Sequence, residues 1–159
     1  ARSIDTDRAH LTEVLRAAAQ HRGSAFVEIF QNCNIFNDGA FDFVRDDKTN
    51  RIYLEHDQPI RFGENGENGV RQLRDGSVEI FEGAGEPLVH DAHLEQPSLA
   101  FALSRLTQDV GATPIGIFRD IEAPVYDELM AEQIETSLSQ RGEGELEALL
   151  RSGETWVVS

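Results

Sequence analysis

The chain of 159 residues has the length of one ordinary domain, enough to bury roughly two-thirds of its unfolded surface around a single core. With 40% hydrophobic and 27% charged residues its composition is that of a globular protein rather than a disordered one, and no apolar run approaches a membrane span. A net charge of −15, with 14 Lys and Arg scattered rather than gathered in a stripe, repels phosphate backbones and argues against a nucleic-acid partner.

The opening Ala1-Arg2-Ser3-Ile4-Asp5 has no basic patch followed by an apolar stretch, so no secretory leader is expected. It starts without Met and runs at once toward a helix, so upstream residues or a cut chain are expected. One cysteine, Cys33, excludes an internal disulfide and an all-cysteine metal site built by this chain alone, and the cytoplasm is the expected compartment.

Asp5-Thr6-Asp7 caps a helix whose apolar face is Leu11, Val14, Leu15 and Ala18, with Gly23 as terminator. Ala25 to Phe30 follows as a β-rich run, the helix–strand order of an α/β sheet. From Gln31 to Asn50 the density of Asn, Asp and Gly predicts a long polar loop. Strands are expected at 51–55, 69–73 and 77–81, the last two joined in a hairpin by Arg74-Asp75-Gly76, and their polar alternation predicts a peripheral sheet.

Pro97 and Ser98 open a helix that carries Leu99, Phe101, Ala102, Leu103 and Leu106 into the core and closes at Gly111. Pro114 to Phe118 is the next strand. Pro124 then starts a helix with Val125, Leu129, Met130, Ile134 and Leu138 on one apolar face, ended by Arg141-Gly142. The tail from Glu143 is a short acidic helix and then Trp156-Val157-Val158, which is expected to dock on this or another chain. The acids Glu143, Glu145 and Glu147 read as a solvated face.

Chemistry is concentrated where the strand Ala25–Phe30 empties into Gln31-Asn-Cys33-Asn-Ile-Phe-Asn37-Asp38-Gly39, because ligands gather beyond the carboxyl ends of strands in open α/β sheets. Taken alone, Cys33 has three readings: a buried small hydrophobe, a nucleophile, or one ligand of a site completed elsewhere. Asn37 and Asp38 either approach a cofactor or order the loop, and loop ordering is favoured.

Two other motifs have plainer readings. His90 and His93 stand three apart, a spacing that can chelate zinc, but no third ligand is evident and a structural or solvent-facing pair is expected. The glycines of Gly63-Glu-Asn-Gly66-Glu-Asn-Gly69 are flanked by carboxylates that repel phosphate, which leaves a flexible turn.

A strand followed by Cys33 and then Ile-Phe-Asn-Asp-Gly resembles the beta subunit of the 2-oxoacid:ferredoxin oxidoreductases, most of all the 2-oxoglutarate branch. The likeness extends to Ser3–Asp7, Leu88-Val-His-Asp91, Ser98–Leu106, Pro114–Arg119 and Tyr126–Leu129. It implies an α/β fold: the C-terminal portion of a thiamine-diphosphate-binding domain over 1–50, then a C-terminal region over 51–159 with a peripheral β-hairpin and a helical extension packed on partner subunits.

The same resemblance implies thiamine diphosphate with Mg2+, and a [4Fe–4S] cluster for which Cys33 is the fourth thiolate ligand. The other three cysteines and the diphosphate motif belong to the N-terminal part of the subunit, so this chain alone is expected to be inactive. The implied partners are that N-terminal part, the alpha subunit, ferredoxin, and the substrates coenzyme A and a 2-oxoacid. The implied reaction is oxidative decarboxylation to acyl-CoA and CO2. The competing expectation is a non-enzymatic acidic subunit-interaction domain in which Cys33 is structural.

Overall fold

The computed structural model describes residues 1–154, Trp156 and Val158, apart from the Gln108 side chain. It is a mixed α/β protein that divides into two units, Ala1–Glu122 and Ala123–Ser159. No helix among the described residues is long and apolar enough to cross a membrane.

The stretch read as the approach to a helix is instead a buried strand, β1 (Arg2–Ile4). A charged residue survives there because it is fully partnered. Arg2 pairs with Glu28 at 2.6 Å, donates to the Ser104 and Pro114 carbonyls at 3.2 and 3.4 Å, and lies over the rings of Phe30 and Phe118. Helix α1 (Arg8–Gln20) follows, N-capped by Asp7, whose carboxylate accepts the His10 amide. Only Val14 of the expected face is fully buried, and Leu15 is 44% exposed. The helix ends before Gly23, with His21 already extended.

The next strand, β2 (Glu28–Phe30), is shorter than expected and pairs in parallel with β1. Residues 31–50 are not a structureless loop: they contain α2 (Asp42–Arg45) and a 3-10 turn at Lys48–Asn50. The polar residues that read as solvated spend their groups on local bonds: Asp47 accepts from the Thr49 amide at 2.8 Å and Asn50 donates to the Phe43 carbonyl at 2.8 Å. Val44 is thereby sealed from solvent.

Strand β3 (Arg51–Leu54) follows, then β4 (Arg61–Phe62), β5 (Asn68–Gln72), β6 (Val78–Glu82), α3 (Ser98–Ser104) and β7 (Thr113–Gly116). The main sheet has the order β2-β1-β7-β3. The expectation that β3 is peripheral is therefore wrong; it pairs in parallel with β7 and buries Ile52 and Leu54. The other two segments do form a hairpin, closed by Gly76 at φ +86°, and β4 adds a third strand too short to show in the sequence pattern.

Helix α3 stops well before Gly111, so Leu106 reaches the core from the turn beyond it while Phe101, expected inside, is 64% exposed. Ile52, Leu54, Ile60, Phe62, Val70, Leu99, Leu103, Leu106 and Ala112 form the core between the two sheets and α3. Because β1 meets β7 antiparallel while β1–β2 and β3–β7 are parallel, the carboxyl end of β2 lies on one rim of the sheet and those of β3 and β7 on the other.

The second unit holds α4 (Tyr126–Arg141) and α5 (Leu146–Leu150). Pro124 precedes the N-cap Val125 rather than opening the first turn, and Gly142 ends α4 at φ +74° as the sequence predicts. Neither helix has a buried residue: Leu129, Ile134 and Leu138 of the expected apolar face are about half exposed. Trp156 is exposed as well, and Val157 lies outside the described residues.

Candidate functional site

Cys33 sits three residues past β2, half-exposed, at the start of a tight turn closed by the Asn37 amide donating to its carbonyl at 2.9 Å. The Asn32 side chain clamps the far side of the turn. Its Nδ2 donates to Asp38 Oδ1 at 3.0 Å, and its Oδ1 accepts the Gly39 amide at 2.9 Å. Gly39 takes φ +76°, which returns the chain toward α2. Asp38 thus has its partner within the loop, while the Asn37 side chain is exposed.

The Cys33 pKa is held below the ordinary thiol value chiefly by the backbone N–H groups of Phe36 and Ile35 beside the sulfur; desolvation and the Asp38 charge oppose them. Donors aimed at sulfur stabilise the thiolate, the form that binds soft metals. The sulfur is partly accessible and its pKa lies below the ordinary thiol value, a setting that favours the charged form over that of a fully buried cysteine. Around it, the apolar side chains of Ile35 and Phe36 are 80% and 90% exposed. Among the described residues no three His, Cys, Asp or Glu side chains are placed to hold a metal ion, so this chain offers the thiol of Cys33 without companions.

The histidines lie on the opposite rim. His90 is buried and bonds the Ile117 carbonyl through Nε2 at 2.8 Å, a structural role. His93 is exposed, bonds the Asp120 carbonyl through Nδ1 at 2.8 Å, and meets edge to face the ring of His56, a residue the sequence pattern did not single out. The glycine-rich segment is the turn between β4 and β5, where Glu67 accepts the Asn65 amide at 2.8 Å. Sequence reasoning also missed the N–H cradle behind Cys33, whose only trace is the density of turn-forming residues after it.

Comparison with known proteins shows that the chain belongs to the family of 2-oxoacid oxidoreductase beta subunits. It is 45% identical over 166 positions, 99% of its length, to the 2-oxoglutarate oxidoreductase subunit KorB of Mycobacterium tuberculosis. It is also 26% identical over 110 positions, 69% of its length, to the beta subunit of 2-oxoacid:ferredoxin oxidoreductase 1 of Aeropyrum pernix. The matches cover 44% and 26% of those proteins, so the chain spans less than half the length of these curated relatives. No family model and no solved structure matches it.

Proposed function

We propose that this chain is the C-terminal part of the beta subunit of a 2-oxoglutarate-using 2-oxoacid:ferredoxin oxidoreductase, and that Cys33 is the fourth thiolate of its [4Fe–4S] cluster. The observation that carries the reading is 45% identity along 99% of the chain to a 2-oxoglutarate oxidoreductase subunit. In the whole enzyme a 2-oxoacid and coenzyme A give acyl-CoA and CO2, and the two electrons released pass singly to ferredoxin. Thiamine diphosphate with Mg2+ supplies the carbanion-stabilising chemistry, and the cluster supplies one-electron steps.

This chain's own contribution is narrower. Residues 1–50 close the cofactor domain and present Cys33, whose N–H donors favour the charged ligand form and, as hydrogen bonds to ligand sulfur do, bear on the cluster's reduction potential. Asn32 and Asp38 hold the turn in shape, which supports loop ordering over direct cofactor contact for Asp38. Residues 51–159 supply the C-terminal region, and the exposed apolar positions of α4 are suited to meeting the alpha subunit. With one thiol and no diphosphate motif the chain is inactive alone, and the complete enzyme works in the cytoplasm.

The test is Cys33→Ser in the complete beta subunit assembled with its alpha partner. Iron per beta subunit and 2-oxoglutarate-dependent ferredoxin reduction should both fall while folding is retained. Full iron and unchanged reduction would remove Cys33 from the cluster and return it to a structural role.

A further inference from the structure

On the rim opposite Cys33 one imidazole nitrogen faces two groups that make incompatible demands on it. His56 Nδ1 accepts the Ala92 backbone N–H at 3.2 Å, which requires an unprotonated nitrogen. The same atom lies 3.6 Å from Asp91 Oδ1, a carboxylate oxygen that can pair with it only when it is protonated. Asp91 Oδ1 meanwhile accepts the His93 amide at 2.8 Å. Each protonation state of Nδ1 therefore has its own partner already within reach.

The surroundings make this choice matter to the fold. The turn at 90–93 joins the segments that follow β3 and β7: Asp57 N–H bonds His90 O at 2.8 Å, His90 N–H bonds Gln58 O at 2.9 Å, and Asp120 N–H bonds Ala92 O at 2.7 Å. His90 Nε2 adds the bond to Ile117 O. The groups facing His56 are Asp57, whose Oδ2 is 3.4 Å from Nε2, then Asp91, His90, and His93, whose ring centroid is 4.3 Å away. Beyond His93, Asp120 pairs with His21 at 2.8 Å, and Arg119 is occupied by the Leu94 and Glu95 carbonyls. Burial lowers the pKa of His90, whereas the ring of His56 is open to solvent.

We propose that His56 is an acid-operated latch: neutral, it holds the Ala92 amide and fastens the 90–93 turn; protonated at Nδ1, it releases that amide and pairs with Asp91. One proton is taken from solvent, the Ala92 N–H···Nδ1 bond breaks, and Asp91 Oδ1 exchanges the His93 amide for the new N–H. The 90–93 turn then keeps its ties through His90 and Ala92 O but loses its two amide anchors, so the junction of the β3 and β7 rim loosens as pH falls through the imidazole range.

The test uses the complete beta subunit. Imidazole 15N spectra at about pH 8 should show His56 protonated on Nε2 alone. Amide exchange at Ala92 and His93, corrected for intrinsic rates, should speed up by about tenfold between roughly pH 8 and pH 5, the population change expected for the loss of one hydrogen bond. His56→Gln, whose side-chain oxygen can accept the Ala92 amide without titrating, should flatten that dependence. A proton on Nδ1 at the higher pH, exchange independent of pH, or a folded His56→Gln protein with the wild-type profile would each overturn the latch. Should His56→Gln fail to fold, the tautomer and the wild-type exchange profile decide the matter by themselves.

Discussion

Arg51, at the start of β3, reaches Asp7, the N-cap of α1, with 3.2 Å between guanidinium and carboxylate. The Arg51 side chain is almost wholly buried and also donates to the Val44 and Arg45 carbonyls at 2.7 and 2.8 Å, so one residue fastens the sheet, α1 and α2 beside the Cys33 rim. Replacing it strips two carbonyls of their guanidinium donor and leaves the Asp7 carboxylate with only the His10 and Tyr53 donors. Arg51→Met should lower stability by roughly 3–5 kcal/mol in urea unfolding. Asp7→Asn should cost less, since the Tyr53 hydroxyl that donates to Asp7 at 3.0 Å can still donate to an amide oxygen. A loss under about 0.5 kcal/mol for Arg51→Met would show that the bonds are not what orders this corner.

Gly116 ends β7 at φ +123°, and a Cβ there would stand 2.6 Å from the Leu54 carbonyl oxygen on the neighbouring strand. Gly116→Ala must both strain the backbone and push two strands apart, so a fall in Tm of roughly 5 °C or more is expected, the order of two or more kcal/mol in a domain of this size. Gly66→Ala is the control: φ is +69°, nothing lies within 4 Å, and only the conformational cost of about 1 kcal/mol remains. Equal losses for the two would refute the steric account.

Burial holds the His90 pKa below its ordinary 6.5, against smaller opposing effects from the Ile117 carbonyl and Asp91. The unfolded chain takes up the proton at higher pH than the folded one. His90 therefore contributes its full stability above about pH 6.5, and that share is lost as pH falls through the lower, folded value. Thermal melts from about pH 8 to about pH 5 should show declining Tm, less steeply in His90→Gln. A His90→Gln slope identical to wild type would assign the acid sensitivity to other groups.

Asn32→Ala removes both bonds that clamp the Cys33 turn. Global stability should change by no more than about 1 kcal/mol, because Asn32 lies at the surface of the fold, whereas exchange of the Gly39 amide should rise several-fold. Unchanged protection at Gly39 would mean that the turn holds its shape through backbone bonds.

The sequence was most legible where periodicity and turn chemistry coincide. The hairpin with its Asp75-Gly76 turn, β7, and the Gly142 end of α4 stand where the pattern puts them. It was least legible where partnered polar groups masquerade as surface. Arg2 and Arg51 are buried because each finds acceptors from residues distant in sequence, and no local pattern records those partners. In residues 31–50 the partners are local instead, as in Asp47 with Thr49 and Asn50 with Phe43, and polar groups so occupied read as loop. Cys33 could be singled out from its place after a strand, but the backbone donors behind it depend on the fold of the turn.

The opposed directions of β2 and the β3–β7 pair separate the thiol rim from the histidine rim by about the length of a strand, roughly 10–13 Å at 3.3 Å per residue. Instrumentation of the molecule benefits from that spacing. A small spectroscopic label introduced at Asp57, which is exposed, by chemistry that spares thiols would sit where it can sense the histidine turn without obstructing the Cys33 loop. It would also lie close enough to a paramagnetic centre at Cys33 for relaxation effects to report on it. The fold thus offers a reporter position and a thiol position on opposite rims of one sheet.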